Sequence, residues 1–142
     1  MKEKLKEETS RLMAELGYSN KAIELYVNNA NLGELKKQYV FTTYLGSCGD
    51  FVELYLKIDK SGIIKNGKLY YVGCPGSAAS VSAMIELIKG KPINEVKKLT
   101  EHDILNELGG LPKEKIDCAK FAILTLKKAI AEYEKMKGRS EI

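Results

Sequence analysis

Residues 39–72 constrain the fold most, because three β-rich stretches follow one another there with links too short to contain a helix. In Phe51–Ile58 apolar residues recur at every second position, which places them on one face of a strand. Residues 39–45 and 68–72 are rich in aromatic and apolar side chains and are predicted to be its neighbours. A parallel pair would need a crossover of about a dozen residues or more. A three-stranded antiparallel sheet is therefore expected.

Helical patterns precede and follow these strands. Apolar residues recur at three- and four-residue steps, Ser, Thr and Pro stand where helices can begin, and Gly stands where they can end. The predicted helices cover residues 2–16, 19–27, 77–89 and 100–108, with a short one begun by Pro92 and a long final one opened by Pro112. The sequence predicts a single α+β domain over residues 1–142, in which several helices pack against the sheet and residues 1–17 form an N-terminal helical extension.

Composition argues against several classes of protein. The 142 residues are 44% apolar and 30% charged, as in a globular domain. No stretch approaches the ~18 consecutive apolar residues of a membrane span, and the N-terminus lacks the apolar core of a secretory signal. The net charge of +4 is spread along the chain without aromatic interleaving. A cytoplasmic protein is expected, with neither nucleic acid nor membrane as a partner.

The three cysteines stand at junctions between predicted elements. Cys48 lies in a Gly- and Ser-containing turn between the first two strands, Cys74 lies where the third strand ends, and Cys118 lies near the start of the final helix. Such positions favour thiolates, which bind soft metals and carry sulfur. No C-x-x-C pair is present, which excludes a conventional zinc finger. The pattern by itself leaves buried apolar thiols and a three-thiolate site equally open.

Four motifs around these cysteines occur in the same order in one known family. Residues 26–33 are similar to its segment Tyr-x-Asn-Pro-Arg-Asn-x-Gly, and residues 48–50 match its Cys-Gly-Asp motif. Residues 73–82 align without a gap with Gly-Cys-Gly-Ser-Ala-Ile-Ala-Ser-Ser-Ser, and residues 111–118 fall where the family has Leu-Pro-Pro-Val-Lys-x-His-Cys. From about residue 26 to residue 133 the chain thus resembles the IscU/NifU N-terminal family of iron–sulfur cluster scaffolds. An IscU/NifU-like fold is implied.

The resemblance implies that Cys48, Cys74 and Cys118 bind a nascent cluster, with Asp50 close by. The expected cluster is [2Fe–2S], with [4Fe–4S] and zinc in the same site left open. The implied role is a scaffold and not an enzyme, with a cysteine desulfurase and apo iron–sulfur acceptor proteins as partners; a homo-oligomer is also left open. Thiolates suit iron, whereas a carboxylate is a harder and more exchangeable ligand. The alternative for Asp50 is a turn-stabilising role beside Gly49.

The sequence departs from the family pattern at three places. Asp117 stands where the family has a His before the last Cys, and it is either an oxygen ligand of the metal or a stabiliser of the helix start. Lys113 and Glu114 replace Pro and Val in the segment on which the family's dedicated Hsp70-type chaperone docks, so that partnership is in doubt. Pro75 follows Cys74 where Gly is frequent, which stiffens that loop.

A rival interpretation is a zinc-dependent sulfur acceptor for a cysteine desulfurase, as in the SufU branch of the same fold. Three thiolates and one carboxylate can also hold zinc as a tetrahedron. That branch typically carries an insertion between the second and third cysteines, and the segment between Cys74 and Cys118 contains none. The sequence therefore favours the cluster scaffold and keeps the zinc protein as the alternative.

Overall fold

The computed structural model describes residues 2–37, 39–47 and 49–139 and confirms the predicted α+β architecture. None of the described helices combines the length and the apolar character needed to cross a membrane. The strands are β1 (Val40–Leu45), β2 (Phe51–Ile58) and β3 (Ile64–Val72). The helices are α1 (Lys2–Glu15), α2 (Asn20–Val27), α3 (Pro75–Ile88), α4 (Ile93–Val96), α5 (Glu101–Leu108) and α6 (Asp117–Gly138).

The sheet is antiparallel throughout, in the order β1-β2-β3. The alternation in β2 has the predicted effect, since Val52, Leu54 and Leu56 are fully buried on one face. Helices α3 and α6 cover that face. Gly67 permits a close approach of α3, because a Cβ there would lie 2.9 Å from the side chain of Ile85. The core lies between one face of the sheet and these two helices, and it continues between α3 and the helices α2 and α5.

Capping groups explain where α2 begins and where α5 begins and ends. The hydroxyl of Ser19 accepts a hydrogen bond from the Ala22 amide at the start of α2, as the sequence predicts. Thr100 and Asp103 form a reciprocal capping box at the start of α5. Gly109 ends α5 with φ of 75°, a conformation that glycine adopts without steric cost.

Three element boundaries differ from the prediction. Strand β3 begins at Ile64, earlier than the predicted residue 68, because pairing with β2 holds the weak strand formers Asn66 and Gly67 in the ladder. Helix α3 begins at Pro75 and not at residue 77. The final helix begins at Asp117, so the prediction that Pro112 opens it is wrong: Pro112 has extended backbone angles and is followed by a 3₁₀ turn over Lys113–Lys115.

Asn31 ties the connection after α2 to both α3 and β3. Its side-chain amide donates to the Ser82 hydroxyl at 2.9 Å and its side-chain carbonyl accepts from Lys89 Nζ at 3.0 Å. Its backbone carbonyl accepts from the Leu69 amide at 2.9 Å. The residue adopts a left-handed conformation with φ of 64°, which Asn tolerates better than most residues.

We expect Asn31→Ala to lower the free energy of unfolding by about 2 kcal/mol, through lost hydrogen bonds and left-handed backbone strain. Chemical denaturation followed by circular dichroism measures the change. Asn29→Ala is the matched control, because Asn29 is exposed and also left-handed, with φ of 50°; about 1 kcal/mol of strain alone is expected there. Equal losses in the two variants would show that the side-chain network of Asn31 contributes nothing.

Candidate metal centre

Three side chains with metal-binding chemistry meet at one end of the sheet. Asp50 directly precedes β2, Cys74 is the N-cap residue of α3, and Cys118 lies in the first turn of α6. Their ligand atoms all lie within 4.8 Å of one another. Cys74 Sγ is 3.8 Å from Cys118 Sγ and 3.6 Å from Asp50 Oδ2. Residues far apart in the sequence thus present two sulfur atoms and a carboxylate to a common point.

Cys48, the remaining predicted thiolate ligand, lies outside the described residues, and its participation stays a prediction. The residues on either side of it are linked by backbone hydrogen bonds: the Gly46 amide donates to the Asp50 carbonyl at 2.7 Å, and the Gly49 amide donates to the Gly46 carbonyl at 3.0 Å. Ser47 lines the same cleft as Asp50 and the two described cysteines. The flanking residues therefore belong to the neighbourhood of the centre.

Asp117 does not join the group of close ligand atoms. It is exposed in the first turn of α6 and lines the cleft beside Cys118. Among the residues that the structure describes, the clustered candidate ligands are Asp50, Cys74 and Cys118 alone. The position of Asp117 fits both interpretations made from the sequence, and its role as a metal ligand stays a prediction.

Ser77 is part of the centre although the sequence analysis gave it no role. It is only 3% exposed, and its hydroxyl donates to Asp50 Oδ2. The same oxygen lies 3.6 Å from Cys74 Sγ and 3.6 Å from Cys118 Sγ. The spacing in the sequence could have identified Ser77. A side chain three residues after the N-cap residue of a helix lies in the first turn, on the same side as the N-cap residue, which here is Cys74.

Two glycines allow the backbone to approach the ligands closely. A Cβ at Gly73 would lie 2.7 Å from the carboxylate carbon of Asp50, and one at Gly76 would lie 3.0 Å from Cys118 Sγ. The phenol oxygen of Tyr18 lies 3.4 Å from the same position at Gly76. Larger residues at Gly73 or Gly76 would therefore displace a ligand of the centre.

The ligands line a cleft of about 510 Å³ between the end of the sheet and the start of α6. Charged side chains from the residues before and within α6 complete its wall, including Glu114, Lys115 and Lys120. The volume exceeds what a single ion needs. The cleft therefore has room for a small inorganic assembly or for an inserted side chain of another protein.

Each of the two thiols affects the protonation of the other. A hydrogen bond from the Cys118 thiol, with a smaller contribution from the backbone amide of Ser77, lowers the pKa of Cys74 to about 5, although burial opposes the change. The pKa of Cys118 is raised, because its proton is held by the Cys74 thiolate and because the thiol is buried. Burial and the charges of both cysteines raise the pKa of Tyr18 to about 12. At neutral pH the pair therefore carries one thiolate, on Cys74.

We expect Cys74 in the metal-free protein to react with iodoacetamide at a nearly constant rate from pH 8 down to about pH 6, and to lose reactivity below about pH 5. The alkylation rate falls only at low pH, because the thiolate is the nucleophile and persists at every pH above the lowered pKa. Cys118 should stay slow across this range because its pKa is raised. Peptide mapping by mass spectrometry separates the cysteines.

The control for this pH profile is Cys118→Ala, which removes the hydrogen-bond donor. The pKa of Cys74 should then rise towards its ordinary value of 9.0, and alkylation at pH 6 should become much slower. If the pH profile of Cys74 were the same in this variant, the Cys118 thiol would not be the cause of the lowered pKa.

The donor set fits a soft or borderline metal. Thiolates prefer iron, zinc and copper(I), whereas a lone carboxylate adds a harder and more exchangeable ligand. Two thiols and a carboxylate along a cleft are therefore suited to binding a metal or a small metal–sulfur assembly.

This chain belongs to the NifU-like N-terminal domain family, whose family model matches residues 17–140. The iron–sulfur cluster assembly scaffold protein IscU of Haemophilus influenzae is 37% identical over 127 residues, which cover 87% of this chain and 100% of that protein. IscU 1 of Archaeoglobus fulgidus is 34% identical over 123 residues, which cover 86% of this chain and 80% of that protein. The resemblance found in the sequence motifs is confirmed.

Solved structures show the same fold. A protein described as an iron–sulfur cluster assembly scaffold protein for the SUF system (FiSufU), from Fervidobacterium islandicum AW-1, superposes with a TM-score of 0.64 at 24% identity. The match covers 78% of this chain and 93% of that chain. The N-terminal part of a NifU-like protein from Brucella abortus superposes with a TM-score of 0.54 at 20% identity, covering 87% and 88%. At these identities the likeness is evidence for the architecture alone.

Proposed function

We propose that this protein is a non-enzymatic scaffold on which an iron–sulfur cluster, [2Fe–2S], is assembled and from which it passes to apo acceptor proteins. The observation that carries the proposal is the meeting of Cys74, Cys118 and Asp50 at one end of the sheet, with the two sulfur atoms 3.8 Å apart. Membership of a family that includes named assembly scaffolds supports it. Cys48, from the neighbouring turn, completes the proposed set of thiolates.

Each residue of the centre has a distinct part in this proposal. Cys74 supplies a thiolate at neutral pH, because its pKa is lowered to about 5, and the amide groups at the start of α3 favour its negative charge. Cys118 supplies the second sulfur and loses its proton when a cation binds. Asp50 supplies an oxygen that exchanges more readily than a thiolate. The mixture of ligands suits a site that must release what it holds.

The partners follow from the proposed chemistry. A cysteine desulfurase would deliver sulfur to a cysteine of the centre, and apo iron–sulfur proteins would take the finished cluster. The cleft of about 510 Å³ leaves room for the donating side chain of such a partner. A dedicated Hsp70-type chaperone is not proposed, because Lys113 and Glu114, both exposed, replace the Pro and Val of the family's docking segment.

The second candidate is a zinc-dependent sulfur acceptor for a cysteine desulfurase, which the donor set also favours. Two thiols and a carboxylate, joined by Cys48, would satisfy a tetrahedral zinc ion. Sulfur transfer would then occur at a cysteine that leaves the zinc, and no cluster would form.

Anaerobic reconstitution separates the two candidates. The protein is incubated with ferrous iron, cysteine and a cysteine desulfurase, its visible absorption is recorded, and apo-ferredoxin is then added. A sulfide-to-iron absorption that leaves this protein and arises on the ferredoxin is the expected result. A colourless protein that retains one zinc and accelerates the desulfurase would replace the scaffold with the sulfur acceptor.

A further inference from the structure

We propose that Gly73 and Ser77 form a holder for Asp50, which fixes the carboxylate with Oδ2 towards the two cysteine sulfurs before any metal arrives. This inference rests on the proposed function, because it concerns how the oxygen ligand of the same centre is positioned. Ser77 and Gly73 are positioning residues in this account, and they act through Asp50.

Ser77 supplies the attractive half of the holder. A serine hydroxyl has a single proton to donate, and Asp50 Oδ2 is its nearest acceptor, since both sulfur atoms lie at 3.6 Å. A hydrogen bond to a carboxylate is stronger than one between neutral groups. Because Ser77 is only 3% exposed, little water is available to compete for this bond. The bond therefore selects one orientation of the carboxylate.

Gly73 supplies the steric half. A Cβ at this position would lie 2.7 Å from both Cγ and Oδ1 of Asp50 and 3.1 Å from its Cβ. The carboxylate therefore lies close to Gly73, with Oδ1 on that side and Oδ2 hydrogen-bonded to Ser77. The carboxylate is enclosed on two sides, and Oδ2 is left 3.6 Å from Cys74 Sγ.

Fixing the carboxylate in advance strengthens metal binding, because an already ordered side chain loses less conformational freedom when it becomes a ligand. Partners that orient a metal ligand typically contribute about 10- to 100-fold to metal affinity. Loosening the holder should therefore weaken metal binding while all three cysteines and Asp50 itself remain in the chain.

The test measures Co²⁺ and Zn²⁺ affinities of the full-length protein, with Co²⁺ visible spectra reporting the ligand set. We expect Ser77→Ala to weaken both affinities about tenfold. Gly73→Ala should have a similar effect, because its new Cβ pushes aside a flexible side chain and not the backbone. Asp50→Ala should weaken them at least as much. Within the Asp50→Ala background, the Ser77 and Gly73 changes should have less than about a twofold further effect, since neither then has a ligand to hold.

Ser80→Ala is the matched control for Ser77→Ala. Ser80 lies on the same helix, is fully buried, and its hydroxyl has no hydrogen-bond partner among the described residues. The Ser80→Ala substitution should leave the metal affinities and the Co²⁺ spectrum unchanged. Thermal unfolding of each metal-free variant shows whether any change in affinity is merely a loss of fold.

The outcomes distinguish the inference from the proposed function. If Asp50→Ala weakens metal binding but Ser77→Ala and Gly73→Ala do not, the holder is refuted and the scaffold proposal stands. Additive effects in the Asp50→Ala background would also refute it, because the residues would then act independently of Asp50. If Cys74→Ser and Cys118→Ser also bind both metals as the wild type does, the centre itself, and with it the proposed function, is refuted.

Discussion

Cys74→Ser should abolish stable binding of an iron–sulfur cluster. The substitution removes the sulfur that lies 3.8 Å from Cys118 Sγ and 3.6 Å from Asp50 Oδ2. A serine hydroxyl stays protonated at neutral pH and is a hard, weak ligand, so it does not replace the thiolate. After anaerobic reconstitution, the sulfide-to-iron absorption and the protein-bound iron and sulfide should all be near zero. The same loss is expected for Cys48→Ser and Cys118→Ser.

Ser80→Ala is the control for this experiment, since it alters a buried hydroxyl of α3 that does not line the cleft. It should assemble the cluster as the wild type does, and circular dichroism should show that each cysteine variant remains folded. A folded Cys74→Ser protein with full cluster content would remove Cys74 from the ligand set.

Asp50→Ala has the second largest expected effect. It should make the protein retain its cluster for longer, whereas the cysteine substitutions should prevent the cluster from binding. The variant should keep its cluster, because the three cysteines remain, and should release it to apo-ferredoxin about tenfold more slowly, a rise in barrier of about 1.4 kcal/mol. The physical reason is kinetic: the carboxylate is the exchangeable ligand through which the cluster leaves, so its loss slows transfer even though it weakens the equilibrium binding of a single Co²⁺ or Zn²⁺ ion. Transfer is followed by the absorption and activity of the ferredoxin. Transfer as fast as in the wild type would contradict this role.

Asp117→Ala is the informative comparison for Asp50→Ala. Asp117 lies exposed on the wall of the cleft and outside the cluster of close ligand atoms. If Asp50 is the oxygen ligand, Asp117→Ala should transfer its cluster at the wild-type rate. Slow transfer in Asp117→Ala and normal transfer in Asp50→Ala would move the oxygen ligand to the start of α6.

Local patterns predicted most of the fold. The alternation in β2, the cap at Ser19 and the start of a helix at Thr100 all lie where the sequence predicts them. These features depend on neighbouring residues, which a sequence displays directly. The start of β3 did not follow from propensity, because cross-strand pairing overrides the weak strand preference of Asn66 and Gly67.

The start of the final helix could not be predicted from local preference either. A proline is well suited to the first turn of a helix, but Pro112 is equally compatible with extended backbone. Its angles of φ −52° and ψ 146° place it before the 3₁₀ turn of Lys113–Lys115 and not in the helix. Which of two allowed conformations a residue adopts was decided by packing and could not be predicted from its own preference.

The sequence by itself determined the class of the fold, the family and the three cysteines as candidates, because periodicity, turn chemistry and motif order are local properties of a chain. Only the tertiary structure decided which groups meet. It brought ligand atoms of Cys74, Cys118 and Asp50 within 4.8 Å of one another. It lowered the pKa of Cys74 and raised that of Cys118. It also placed Ser77 and Gly73 around the carboxylate of Asp50. Such contacts depend on distances of a few ångströms between distant segments, and these distances are set only when the sheet and helices pack together.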